Sequence, residues 1–111
     1  MDTATVRSRL EAMLADLERS MAILKGEAPD SADRHPADAG STLSDADRAE
    51  ASLEAMGRQR VAIQAALRRL EAGSYGQCVD CGDLVPEGRL EARPDASRCV
   101  ACQAKYDRAH R

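Results

Sequence analysis

The sequence predicts a mainly α-helical protein: an antiparallel two-helix coiled-coil hairpin, then a small four-cysteine module that ends in a C-terminal helix. Three observations carry that reading. Apolar residues recur three and four positions apart in two long segments, the spacing of one helix face. All four cysteines fall in one short stretch after the second segment, as two C-x2-C pairs. The chain has no Trp, no Phe and only two Tyr, Tyr75 and Tyr106. Aromatic rings dominate ordinary cores, and much of the 43% apolar content here is alanine, so a large single core is not available. Helices touching through small and medium side chains, plus a cross-linked module, fit the composition better.

The first helix runs from Thr5 to Leu24. Val6, Leu10, Met13, Leu17, Met21 and Leu24 form its stripe, which Leu14 widens. Arg7, Arg9, Glu11, Asp16, Glu18 and Arg19 occupy much of the remaining surface. KGEAPDSADRHPADAGST, residues 25–42, then breaks the pattern with two prolines, two glycines and many small polar residues. It reads as a loop, and a connection this long is often functional or disordered. The second helix is expected to start near Ser44 as N-cap, with Asp47 at the third helical position in a version of the capping box. Ala46, Ala49, Leu53, Met56, Arg60, Ile63, Leu67 and Leu70 follow in alternating steps of three and four, a heptad seam with one charged member. Gly73 is placed to end the helix in the left-handed conformation.

The two seams must be buried, and each is the other's nearest partner. A parallel dimer of the second helix is the rival arrangement. In the hairpin, residues 1–72 form one unit whose loop and tip, at about 25–50, lie a long helix away from the module of residues 73–111. The tip is acidic: seven carboxylates, Glu27, Asp30, Asp33, Asp38, Asp45, Asp47 and Glu50, stand against Lys25, Arg34 and Arg48. Part of this needs no function, because Asp45 and Asp47 suit the positive end of a helix dipole.

Charged residues make up 32% of the chain and the net charge is -3, which argues against generic nucleic-acid binding. No apolar run approaches a membrane span, and MDTATVRSRLEAML lacks the apolar core of a secretion signal. A cytoplasmic, reducing compartment is the expectation, where cysteines serve as metal ligands more often than as disulfides. Cys78 and Cys81 form one knuckle and Cys99 and Cys102 the second. This double C-x2-C spacing is a strong zinc signal. Four thiolates complete a tetrahedron with no position for water, so one structural Zn2+ is expected rather than a hydrolytic centre. A dithiol redox reading leaves the second pair unexplained; iron in the same ligand set stays open. Gly76 and Gly82 suit the tight turns of a knuckle. Gly82 to Pro86 reads as a short strand or turn, and Arg98 to Ala109 as the closing helix, with Tyr106 and Ala109 on its packing face. Metal binding should supply much of so small a module's folding energy.

The module's basic and acidic side chains balance, and zinc with four thiolates adds about -2. The phosphate attraction that dominates nucleic-acid binding is therefore missing, and a protein partner fits better than DNA. No enzyme constellation stands out: His35 lies in the loop, His110 near the C-terminus, and neither has a traceable nucleophile or phosphate loop beside it. Asp45 and Asp47 alone would hold a divalent ion only weakly.

The stretch YGQCVDCG…RLEARPDASRCVAC resembles the DksA/TraR family of C4-type zinc fingers. The matching positions are Tyr75-Gly76, Cys78, Cys81-Gly82, Arg89 to Pro94, Cys99 and Cys102, within about residues 70–108. The helical hairpin extends the likeness more loosely over nearly the whole chain. The resemblance implies a transcription regulator that binds bacterial RNA polymerase without binding promoter DNA; a monomer is the expectation from the intramolecular hairpin, though the sequence alone leaves the oligomeric state open. Its coiled coil would enter the secondary channel, and its tip would modulate initiation, commonly with the alarmone ppGpp. The family's tip pattern is D-x-x-D-x-A. Here Asp47 and Ala49 match the later two positions, Ser44 stands in the first aspartate's place, and Asp45 comes one residue late. That displaces the Asp45 carboxylate about 100° round the helix axis, an arrangement in which polymerase binding and full tip activity can part company. Two alternatives from other classes remain: a zinc-stabilised protein adaptor, or a weak nucleic-acid binder using Arg58, Arg60, Arg68, Arg69 and the finger arginines.

Overall fold

A computed structural model describes residues 2–26 and 42–110. Four helices follow one another: α1 (Thr3–Leu24), α2 (Thr42–Ala72), α3 (Glu87–Ala92) and α4 (Val100–Ala109). The first two pack against each other. The N-terminal end of α1 lies at the C-terminal end of α2, since Thr3, Leu70 and Gly73 line one groove.

Each boundary of the helix pair has a local cause. Asp2 caps α1, its carboxylate accepting from the Ala4 N–H at 3.2 Å and from the Thr5 hydroxyl at 2.8 Å. These bonds hold the Asp2 carboxyl below its usual pKa, the Thr5 hydroxyl contributing most. At the far end of α2 the Gly73 N–H donates to Leu70 and the Ser74 N–H to Arg69. This is the Schellman pattern, and it requires the positive φ of 79° that Gly73 adopts. α2 begins two residues earlier than expected, so Ser44 is a helical residue and not the N-cap. Asp45 takes the first-turn acidic position. Helix propagation costs little once a first turn exists, and Thr42 and Leu43 are neither glycine nor proline.

The core of the pair holds Val6, Leu10, Leu17 and Met21 from α1 and Ile63, Ala66 and Leu70 from α2. Met13, Leu14, Leu53, Met56, Leu67 and Tyr75 pack around it. The stripe expected on α1 therefore supplies its side of the core. On α2 the expected seam shifts: Ala66 is fully buried, Leu67 is only half-buried, and Ala46 is exposed. A strict heptad drifts about 20° per repeat on a straight helix. Near the α2 C-terminus Ile63 and Leu70 of the expected seam are buried, and between them Ala66 takes the inward place expected of Leu67. Arg60 is left at the edge, half-buried.

After α2 the chain builds the cysteine module around a minimal second core of Cys78, Val85 and Leu90. The expected strand or turn is a single antiparallel bridge, Gln77 to Leu84. The sequence reading did not anticipate α3. It starts after Pro86, whose carbonyl accepts from the Arg89 and Leu90 N–H groups, and it stops before Pro94. α4 has no buried residue, and Tyr106 and Ala109 are exposed. The packing face expected for them is corrected accordingly. Among the described residues no helix is long and apolar enough to cross a membrane.

Leu10 is fully buried, whereas Val61 on α2 is 59% exposed. Leu10→Ala should therefore cost about 2–5 kcal/mol, and Val61→Ala should stay within about 0.5 kcal/mol. Urea denaturation followed by helical circular dichroism checks both; equal losses would mean that the seam is misplaced.

Candidate metal centre

The module brings the two cysteine pairs together through its backbone. In the first knuckle the Cys78 N–H donates to Asp83 at 2.7 Å, and the Gly82 N–H returns to Cys78 at 3.0 Å. Gly82, at φ 80°, permits that reversal. The Val85 N–H donates to Gly76 at 2.7 Å and closes the ribbon. The second pair straddles the start of α4. Cys99 is its N-cap residue and Cys102 lies in its first turn, so one helical turn sets both sulfurs side by side. The Val79 N–H donates to Ser97 at 2.9 Å and stitches the knuckles together.

Side chains brace this frame. Arg89 Nε donates to the Arg98 carbonyl at 3.0 Å, and Arg98 Nε to Asp80 Oδ2 at 2.7 Å. The Arg98 guanidinium sits 4.0 Å above the Tyr106 ring, and His110 stacks on that ring at 3.9 Å. Two planar groups cannot share one face at those distances, so Tyr106 is sandwiched. These contacts and the two cysteines hold α4 where apolar burial does not. Sequence reasoning gave Arg98, Asp80, Arg89 and Tyr106 no such roles; Asp80 and Arg98 adjoin cysteines, Tyr106 lies one turn past Cys102, and Arg89 stood out only as part of the matching Arg89 to Pro94 stretch.

The four Sγ atoms all lie within 4.8 Å of one another, and Cys81 and Cys99 are 4.0 Å apart. All four cysteines are free. A tetrahedral ion with metal–sulfur bonds of about 2.3 Å would put its ligands roughly 3.8 Å apart. The cluster matches that ion within a small contraction. Cys78 is buried, Cys99 and Cys102 half-buried, and Cys81 exposed.

The electrostatics of the sulfurs point the same way. Backbone N–H groups of Cys81 and Cys99 lower the Cys78 thiol to about 6. Cys102 is pushed up to about 12, chiefly by the sulfur of Cys99 and then by that of Cys78. At Cys81 the Asp83 backbone favours the thiolate, yet Cys78 and Cys99 leave its pKa raised. One thiolate is prepared by N–H donors, while hydrogen bonds to neighbouring sulfurs keep protons on Cys81 and Cys102. Full ionisation needs a cation among the sulfurs, as a metal supplies.

The other sequence-predicted residues lie elsewhere. Asp45, Asp47 and Ala49 sit in the first turns of α2. Asp45 is exposed, with Arg48 at 3.9 Å; Asp47 is exposed and Ala49 half-buried. Asp45 and Ala49, four residues apart, share a helix face that Asp47 does not. Glu27, Asp30, Asp33, His35 and Asp38 lie outside the described residues. Between the helix pair and the module, Tyr75 joins both cores and its hydroxyl donates to the Pro94 carbonyl at 2.9 Å. Arg9 on α1 donates to the Glu91 carbonyl at 2.9 Å.

Fold and site together define a helical pair that carries a metal-competent C4 module. Residues 73–108 match the prokaryotic dksA/traR C4-type zinc finger. The RNA polymerase-binding transcription factor DksA of Escherichia coli K12 is 34% identical over 84% of this chain and 70% of its own length. Its counterpart in Caulobacter vibrioides NA1000 is 44% identical over 61% of this chain. Transcription factor DksA2 of Pseudomonas aeruginosa superposes with a TM-score of 0.76 at 25% identity, over 97% of this chain and 84% of that one. The chain belongs to the DksA/TraR family. It spans about half, 49%, of the length of the Caulobacter relative.

Cobalt(II) added under reducing conditions should give one equivalent of tetrahedral thiolate spectrum, and Cys102→Ser should weaken it strongly. Protons compete with the ion for the four sulfurs, so metal occupancy should fall as the pH is lowered. A six-coordinate spectrum, or occupancy indifferent to acid, would contradict the assignment.

Proposed function

We propose that this chain is a DksA-like transcription regulator that binds bacterial RNA polymerase through the secondary channel. In this reading α1 and α2 are the antiparallel coiled-coil hairpin of residues 1–72. One structural Zn2+ on Cys78, Cys81, Cys99 and Cys102 holds the module of residues 73–111 at its base. The tip with Asp45, Asp47 and Ala49 modulates initiation, with ppGpp as co-effector. The observation that carries the reading is the E. coli relative, an RNA polymerase-binding factor whose similarity runs through helices and module alike. The extended shape, 52 × 33 × 20 Å, fits a body that reaches into a channel. The metal has no open position in this scheme, so its part is architectural.

The nucleic-acid alternative draws on the run from 57 to 70, which holds Arg58, Arg60, Arg68 and Arg69 and no carboxylate. Only Arg58 and Arg68 of these are fully exposed, and Arg60 and Arg69 are half-buried. Two exposed arginines make a poor phosphate track, since affinity and its salt dependence scale with the phosphates neutralised.

Zinc-loaded protein should co-purify with bacterial core polymerase or holoenzyme and alter initiation in transcription in vitro, assayed with and without ppGpp. Absence of polymerase binding would overturn the reading, and steeply salt-dependent DNA binding would favour the alternative. Asp47→Asn should lower the transcriptional effect about tenfold, the loss of one charge-assisted hydrogen bond, while changing polymerase affinity by less than about threefold. Equal loss of both, in a folded protein, would contradict a tip that acts separately from the binding surface.

A further inference from the structure

Burial protects little of the four-sulfur cluster. Cys81 is exposed, Cys99 and Cys102 are half-buried, and Cys78 alone is buried. A competing ligand in solution can therefore reach the sulfurs and displace them from an ion one at a time. A displaced thiolate that is held in place rebinds quickly, because its effective concentration at the ion stays high. The residence time of a metal here is then set by what keeps the two knuckles together while one metal–sulfur bond is open.

Apart from contacts to the sulfurs, two hydrogen bonds cross between the knuckles among the described residues. One is backbone, from the Val79 N–H to Ser97 at 2.9 Å. The other runs from Arg98 Nε to Asp80 Oδ2 at 2.7 Å, the short length of a charge-assisted bond. Arg98 directly precedes Cys99, the N-cap residue of α4. It makes two further attachments. Its carbonyl accepts Arg89 Nε from α3 at 3.0 Å, and its guanidinium lies 4.0 Å above the Tyr106 ring on α4. His110 closes the other face of that ring at 3.9 Å. One residue thus ties the first knuckle, α3 and α4 to the second cysteine pair. The side chains of Arg98 and Asp80 are 21% and 46% exposed, so solvent screens the pair in part and its net contribution to stability is small. Its geometry is more distinctive than its energy. A planar guanidinium donates in its plane and stacks with its face at the same time, which a lysine ammonium cannot do.

We propose that Arg98 is a clasp that holds the second cysteine pair against the first and so sets the rate at which a bound metal is lost. It acts through the backbone beside Cys99 and not on the sulfurs, which makes it a positioning residue. The clasp rests on a metal occupying the four-cysteine cluster and is independent of the polymerase reading.

Transfer of metal from the full chain, loaded with one equivalent of zinc, to an excess of a chromophoric chelator tests the clasp. Arg98→Gln should speed transfer roughly tenfold, the lower end of what changes around a metal's ligands cost a site. Its cobalt(II) form should keep the tetrahedral thiolate spectrum. Arg98→Lys should lie within about twofold of Arg98→Gln, since charge alone does not restore the fork and the stack. Arg108→Gln removes the same charge from an exposed position on α4 and should leave the rate unchanged. Asp80→Ala combined with Arg98→Gln should be no faster than the faster single variant, because both changes break one shared interaction. Unchanged transfer in Arg98→Gln, full rescue by lysine, or equal acceleration in Arg108→Gln would overturn the clasp. If Arg98→Gln does not fold, Arg98→Lys decides: faster release supports the clasp, and an unaltered rate overturns it. Metal content separates this proposal from the metal assignment. An unaltered chain that binds no ion overturns both, whereas one bound ion released at the same rate from every variant overturns the clasp alone.

Discussion

Four sulfurs within 4.8 Å of one another cannot all carry negative charge unless a cation lies among them. That constraint organises the C-terminal third of the chain. The module's own apolar core is three residues, Cys78, Val85 and Leu90, too few to offset the entropy of ordering it. One of the three is itself a member of the cluster. The first knuckle prepares one thiolate with backbone N–H donors, while hydrogen bonds between sulfurs hold Cys81 and Cys102 protonated, so that the polypeptide supplies the geometry and an ion must complete the charge. α4 shows the dependence most plainly: without a buried residue, it stays in place through Cys99, Cys102 and the stack around Tyr106.

The helix pair obeys a different physics. Its core is aliphatic, drawn from both helices, and its ends are closed by Asp2 and by the Schellman turn at Gly73. Nothing in it requires a metal. The two parts meet through Tyr75, which belongs to both cores and reaches the Pro94 carbonyl, and through Arg9 on the Glu91 carbonyl. A rod with a metal-dependent base and a metal-independent shaft can keep one end fixed while the other end acts. The proposed polymerase regulator requires that division of labour.

Much of this was legible in the sequence because it rests on local spacing. The α1 stripe, the C-cap at Gly73, the double knuckle and the closing helix are all periodicity or turn chemistry. The shift of the α2 core to Ala66 was not legible, because a heptad written on paper does not drift whereas a real helix does. Ser44 looked like a cap because side-chain chemistry marks candidates without saying which residue begins the helix. α3 escaped because six residues between two prolines carry too little periodicity to register. The burial of Asp95 was invisible for another reason: it depends on how the chain comes together in three dimensions, and no local pattern encodes that. The tip residues were legible only as a resemblance, and their carboxylates stand in α2 without a geometry that assigns them a task.

The dependence of the module on a cation is tested most directly by residue-resolved hydrogen exchange before and after chelation. On removal of the metal, amides of residues 76–110 should lose protection while those of Leu10 to Met21 and Met56 to Leu70 keep theirs. Unchanged protection across the module, with the metal gone and the cysteines reduced, would contradict the account.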